Sequence, residues 1–193
     1  MSNLKKMMEQ YCPNGVEYKN LEDVCDIKRG ERVVKKQLNP DGLYPVISGG
    51  CTPMGRYDYY NREGNITTIS QYGSAGFVDW QKSKFWANDV CYSLFAKDCV
   101  LDKFLYYTMK SKQDLLYELR STDAIPYCLP IKILQSIEIP VPPIEVQNEV
   151  VFILDTLTEK HNQLIDSLKK EIELRELEYK LAGEKLLDFP KME

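Results

Sequence analysis

Histidine occurs once in the 193 residues, at His161, and the six cysteines (Cys12, Cys25, Cys51, Cys91, Cys99, Cys128) include no Cys-x-x-Cys pair. Zinc ribbons need closely spaced ligand pairs, so no metal site is expected. The cysteines read instead as buried free thiols in a reducing compartment. A Ser or Cys nucleophile needs a base beside it, and His161 lies far along a long helical stretch; it reads as a polar residue fixing helix register. No run of 18 apolar residues is present, so no membrane span is expected. The stretch "MSNLKKMMEQYCPNG" lacks the apolar core of a signal peptide, which makes a cytoplasmic chain the expectation.

Phosphate-binding loops are missing too. "YGSAGF" has Gly73 and Gly76 but no Lys and no helix behind it. Adenine amino-methyltransferases carry Asp, Asn or Ser before Pro-Pro and an aromatic ring, to accept from the exocyclic amine and stack on a flipped base. Here the tetrad is Val141-Pro142-Pro143-Ile144, which offers neither acceptor nor stacking face. An enzyme in its own right is not expected.

Hydrophobic residues are 44% and charged residues 28%, ordinary globular values. Net charge is −4, but its distribution is uneven. Residues 1–140 hold 18 Lys and Arg against 17 Asp and Glu, and residues 141–193 hold 7 against 12. Residues 27–62 hold 7 basic against 3 acidic side chains, so the acidity belongs to the tail and a basic patch remains on the body.

Along the chain, residues 2–11 suit a short helix ended by the turn "CPNG". A brief extended piece follows, then a helical turn "NLEDV" capped by Asn20 and a strand over 25–28. To about residue 93 the texture is β-branched and aromatic segments cut by Gly, Pro, Asn and Asp: "YPVISGG", "NITTISQYG", "AGFVDW", "DVCYSLF". "LDKFLYYTMKSKQDLLYELR" has helical spacing and predicts one or two helices. "IPYCLPIKILQSIEIPVPP" predicts a return to extended chain with Ile137 and Ile139 on one face of a last strand.

Behind Pro143, which suits the first turn of a helix, apolar residues Val150, Leu154, Leu157, Leu164 and Leu168 alternate by three and four with His161 filling the gap. This is a coiled-coil seam. Beyond it Ile172, Leu174, Leu177 and Leu181 continue on a shifted face, as in a stutter. From 144 to 187 the helix spans roughly 65 Å at ~1.5 Å per residue, too long for one body to cover, so a partner helix is expected. The fold class is α+β: an irregular β-rich domain with flanking helices over 1–142, then a long coiled-coil helix and short tail over 143–193.

Three loops carry a palette suited to phosphates and base edges. "IKRGERVVKK" supplies Lys28, Arg29, Arg32, Lys35 and Lys36; "GRYDYYNR" supplies Arg56, Tyr57 and Arg62; "SQYGSAG" supplies Gln71, Tyr72 and Ser74. These are the candidate DNA-binding residues.

Three blocks, "GVEYKNLEDVCDIKRG", "YGSAGFVDW…KFWANDV" and "LQSIEIPVPPIEVQNEVVFILDTL", resemble the specificity subunits of type I restriction–modification enzymes. The third carries the I-P-x-P-P-x-x-x-Q junction that leads such subunits into a long helix. The resemblance spans essentially the whole chain. It implies a target-recognition domain that reads one half-site of double-stranded DNA, and a helix that pairs with that of a second copy. A full subunit of the family is similar to two copies of this layout, so a half-length form is expected. Modification subunits would carry S-adenosylmethionine, restriction subunits would bring ATP, and this chain would hold no cofactor. The competing expectations are a coiled-coil protein adaptor and a silent specificity cassette.

Overall fold

The β-branched segments become strands in the computed structural model, which describes residues 2–121 and 127–189. Two units make up the chain, Met1–Val151 and Phe152–Glu193.

In the first unit, α1 (Ser2–Tyr11) ends at a turn in which the Gly15 amide donates to the Cys12 carbonyl, with Gly15 at φ 94°. Strand β1 (Tyr18–Asn20) pairs antiparallel with β9 (Glu138–Pro140), so segments far apart in sequence close one edge of the body. The single turn α2 (Leu21–Val24) follows Asn20, whose side chain makes no cap bond. Burial of Leu21 and Val24 holds this turn in place of the expected cap.

The main sheet has four antiparallel strands in the order β2 (Cys25–Arg29), β8 (Cys91–Ala96), β5 (Ile66–Ser70) and β6 (Val78–Gln81). All five residues of β5 are buried, the mark of a strand covered on both faces. Helix α3 (Asp102–Ser111) packs over β5 and β6 with Phe104, Leu105, Thr108 and Met109 inward. The core continues through Leu116 of α4 (Gln113–Glu118) to Leu129, Leu134 and Ile139. A smaller sheet takes β4 (Gly55–Tyr57), β3 (Tyr44–Ile47) and β7 (Trp86–Ala87), with β3 and β7 parallel.

One stretch differs from expectation. Residues 131–135 form α5 (Ile131–Gln135) rather than extended chain, because the Pro130 carbonyl accepts from the Ile133 and Leu134 amides and opens a helical turn. Ile137 and Ile139 are both buried, as the strand reading required. Part of that stretch, 125–126, lies outside the described residues.

Helix α6 (Ile144–Leu186) runs 43 residues. Pro143 stands just ahead of it, its carbonyl accepting from the Val146 and Gln147 amides. The Gln147 side chain is fully buried, and both its oxygen and its nitrogen hydrogen-bond to backbone around it. Its Oε1 accepts from the Leu101 amide at 2.9 Å, while Nε2 donates to the carbonyls of Cys99 at 2.9 Å and Pro142 at 2.8 Å. Val150 and Val151 pack against the core, and Asn3 of α1 donates to Glu149 at 3.0 Å. The compact unit thus takes in the first two turns of α6.

In the second unit, Leu157 and Leu164 are 57% exposed, Leu168 is 49% exposed, and His161 is exposed. No helix among the described residues is long and apolar enough to cross a membrane.

A second polar fastening is Arg62, which is half-buried. Its guanidinium donates to Ser93 Oγ (3.1 Å), the Asn61 carbonyl (2.7 Å) and the Arg29 carbonyl (2.7 Å), and lies 5.8 Å from the Phe95 ring. It ties the end of β2 to β8 and to the loop before β5.

Two stability effects are expected. Gln147→Ala strands three buried backbone groups and lowers stability by about 3 kcal/mol, a fall of roughly 6–12 °C in Tm by calorimetry. Arg62→Ala lowers stability by about 2 kcal/mol with an unchanged denaturant slope in urea unfolding, whereas Arg32→Ala changes it by no more than about 0.5 kcal/mol.

Candidate nucleic-acid interface

Strand β2 delivers the first cations. Its register sets Lys28 opposite Ser93 and Arg29 opposite Tyr92 on β8. Both side chains are exposed, with Lys28 Nζ 5.0 Å from the Phe95 ring centroid and the Arg29 guanidinium 5.7 Å from that of Tyr92. Aromatic planes beneath long basic side chains restrict their rotamers while leaving the charge at the surface. Burial pushes the Tyr92 phenol up, and the hydrogen bond to Arg29 opposes that shift.

Beyond β2 the chain needs Gly30, because a Cβ there would overlap the Ala87 carbonyl. This approach lets the Glu31 amide reach Ala87 O at 2.9 Å. Val33 then turns inward, 3% exposed, and its backbone is held at both ends by Asn88: the Val33 amide donates to Oδ1 at 2.9 Å and Nδ2 donates to the Val33 carbonyl at 3.3 Å. With Val33 pinned, Arg32, Lys35 and Lys36 stand exposed on either side of it. Arg32 and Lys35 border a groove of about 390 Å³ shared with Ser48, Asn88 and Asp89. Residues 35–37 form a 3-10 turn, closed by the Gln37 amide donating to the Val34 carbonyl and the Val34 amide donating to Gln37 Oε1.

The turn after β5 comes to the same end of the sheet. Gly73 adopts φ 72°, and the Ser74 amide donates to the Gly49 carbonyl at 2.7 Å. Tyr72 is 37% exposed. A hydrogen bond with the Cys128 thiol raises its phenol above the ordinary range, and the nearby charge of Arg29 acts against the rise. Arg29 and Tyr72 are therefore electrostatic neighbours. Ser74 is half-buried, its hydroxyl accepting from the Cys51 thiol at 3.4 Å.

Several candidate residues are occupied elsewhere. Gln71 is 3% exposed; it continues the buried run of β5, and its side chain faces the interior instead of the loop surface. Arg56 donates to the carbonyls of Gly42 and Leu43, the latter at 2.8 Å, and clamps the turn before β3. Arg62 is the strut already described. Tyr57 meets Tyr59 and Trp86 edge-on at 5.5 and 5.1 Å, and Trp86 Nε1 donates to the Glu31 carbonyl at 2.8 Å, so this aromatic group buttresses the basic loop from behind. What remains exposed at this end of the sheet is Arg29, Arg32, Lys35 and Lys36, with Tyr72 beside Arg29 and Ser74 in the same turn, while Lys28, one residue before Arg29 on β2, lies on the opposite face of the sheet over Phe95.

Of the seam residues, Val150 packs against the body's core, and Leu154 is half-buried. Leu157, His161, Leu164 and Leu168 are exposed. Burial pushes the Cys25 and Cys91 thiols up to about 12, so neither ionises near neutral pH. No cluster of three metal-ligating side chains occurs among the described residues.

Sequence reasoning passed over Arg120, whose guanidinium lies 4.5 Å from the Tyr127 ring and 5.4 Å from that of Tyr117. The only signal was the Tyr-x-x-Arg spacing of Tyr117 and Arg120 near the end of α4.

Comparison with known proteins gives a family for this arrangement. The family described as the type I restriction modification DNA specificity domain matches residues 13–174. A putative type I restriction enzyme specificity subunit of Haemophilus influenzae is 31% identical over the whole of this chain and 51% of its own length. The type I restriction enzyme MpnII specificity subunit of Mycoplasma pneumoniae is 30% identical over 80% of this chain and 48% of its own. The crystal structure of a type I restriction–modification S subunit from M. genitalium superposes with a TM-score of 0.73 at 25% identity, covering 91% of this chain and 48% of that one. The chain spans about half the length of these relatives. On the match over residues 13–174, it belongs to the type I restriction modification DNA specificity domain family.

Proposed function

We propose that this chain is a DNA-specificity subunit of a type I restriction–modification enzyme, reading one half-site of double-stranded DNA and catalysing nothing itself. The observation that carries the reading is the gathering of Lys28, Arg29, Arg32, Lys35 and Lys36 at one end of the main sheet, in a chain whose net charge is −4. Cations at the end of β2 and on the pinned loop behind it neutralise phosphates and hold the register on the duplex, while Tyr72 and Ser74 lie beside them to meet base edges. In this reading modification subunits supply S-adenosylmethionine and the methylating site, and restriction subunits supply ATP-driven cleavage.

A second copy completes the target. The apolar face of α6 from Leu157 to Leu168 is exposed, and a second α6 with the same stripe covers it. Two-fold symmetry then repeats one half-site on both sides of a fixed spacer, so the recognised sequence is a split palindrome.

Co-expression of this chain with the modification subunits of its own genome, followed by mapping of methylated motifs, tests the reading. A split palindromic adenine-methylated motif is the expected result. Two unrelated half-sequences would remove the self-pairing, and no new motif from a soluble complex would favour the adaptor or the silent cassette. Arg29→Ala with Arg32→Ala is expected to weaken duplex binding and to reduce the slope of log affinity against log salt by up to about 2; an unaltered slope would take the basic loop off the DNA. Leu157→Asp is expected to halve the mass in solution by light scattering, since it sets a charge in the shared seam.

A further inference from the structure

Beyond α4, described residues on either side of 122–126 pair with one another and with the turn after β5. Ser121 and Cys128 pair as an antiparallel bridge, with the Ser121 amide donating to Cys128 O at 2.7 Å and the Cys128 amide to Ser121 O at 3.4 Å. Cys128 also bridges to Tyr72, and the Leu129 amide donates to the Gln71 carbonyl at 2.8 Å. Residues 121, 128 and 72 therefore stand in adjacent rows, and Arg29 acts electrostatically on the last of them. Arg120 and Tyr127 flank the Ser121–Cys128 pair. Tyr127 is 40% exposed and Tyr72 is 37% exposed, so two accessible phenols lie on or next to these rows, with Arg120 adjoining Ser121.

We propose that Arg120, stacked on Tyr127 and Tyr117, is a further DNA contact that extends the basic footprint beyond Tyr72; the inference rests on the DNA reading above. Rings against a guanidinium occupy its plane and fix its rotamer, which leaves the N–H edge for two acceptors side by side. On a duplex such paired acceptors are two phosphate oxygens or the O6 and N7 of a guanine. A flexible lysine at this position would bring the charge without the fork. The stack also has a thermodynamic consequence: the side chain is ordered before DNA arrives, so less rotamer freedom is lost on binding.

The test uses the full chain in complex with its modification subunits and measures binding by anisotropy across a salt series. Two duplexes are compared, one carrying the mapped methylation motif and one of scrambled sequence. Arg120→Ala is expected to weaken binding about tenfold and to reduce the salt slope by about 1. If the contact is a phosphate, both duplexes weaken alike and Arg120→Lys keeps most of the affinity. If it is a guanine, the loss is confined to the mapped motif and Arg120→Lys does not rescue it. Arg120→Gln, which keeps a planar polar head, stands in should the alanine variant fold poorly. Unchanged affinity and slope in these variants, alongside weakened binding by the Arg29 and Arg32 double variant, would overturn the Arg120 contact and leave the DNA reading standing. Failure of the unsubstituted complex to bind either duplex at low salt would overturn both.

Discussion

The Gln147 amide is the interaction on which the rest of the molecule depends. A helix of 43 residues leaves the body through one short junction, and only its first two turns belong to the compact unit. Apolar contacts from Val146, Val150 and Val151 give that root adhesion but little direction, because hydrophobic burial is non-directional. The buried amide supplies direction. With one acceptor and two donors engaged on Leu101, Cys99 and Pro142, it fixes both the rotation of the helix about its axis and its depth. Pro142 and Pro143 complete the constraint by setting the backbone on entry and by contributing carbonyls where an ordinary residue would also present an amide. The glutamine at the end of the I-P-x-P-P-x-x-x-Q junction has a physical reason: a residue of that shape, about one turn past Pro143, can reach three backbone groups at once.

Much of this architecture was legible. Segments bounded by turn residues became β3, β5, β6 and β8, and the heptad-like run became α6, because period-2 and period-3.6 patterns survive in the sequence when one face is buried. Where the pattern misled, the causes are local. Ile131 and Ile133 flank Lys132 as in a strand, yet Pro130 at the head of the segment offers its carbonyl to a helical turn, and five residues are too few for periodicity to decide. Two short strands, β4 and β7, pair with β3 and leave no local signature.

The candidate site was legible as chemistry and less so as geometry. Arg56 and Arg62 sit in a polar, turn-rich stretch as Arg29 and Arg32 do, and sequence cannot separate an arginine that ties backbone carbonyls from one that faces solvent. The difference is made by tertiary context: Arg62 finds Ser93, Asn61 O and Arg29 O within reach of its fork. Gln71 shows the same limit from the other side. It is polar and next to a glycine-bearing turn, as a base-reading residue would be, but the buried register of β5 carries on through it.

These two kinds of arginine lead to a separation of labour between backbone and side chain in the basic loop. Its path is set by atoms that take no part in presenting charge: the Arg29 carbonyl held by Arg62, the Glu31 carbonyl held by Trp86, and both backbone groups of Val33 held by Asn88. The exposed heads of Arg32, Lys35 and Lys36 contribute almost nothing to that path, and exposed substitutions away from such fastenings usually change stability by no more than about 0.5 kcal/mol. Side chains at those positions can therefore be exchanged with little effect on the fold while the loop keeps its place. A recognition surface whose geometry is fixed by carbonyls and whose chemistry is fixed by side chains can change what it reads without changing how it stands. If the chain reads DNA as proposed, this separation would let side chains at the exposed positions change without moving the loop on the duplex.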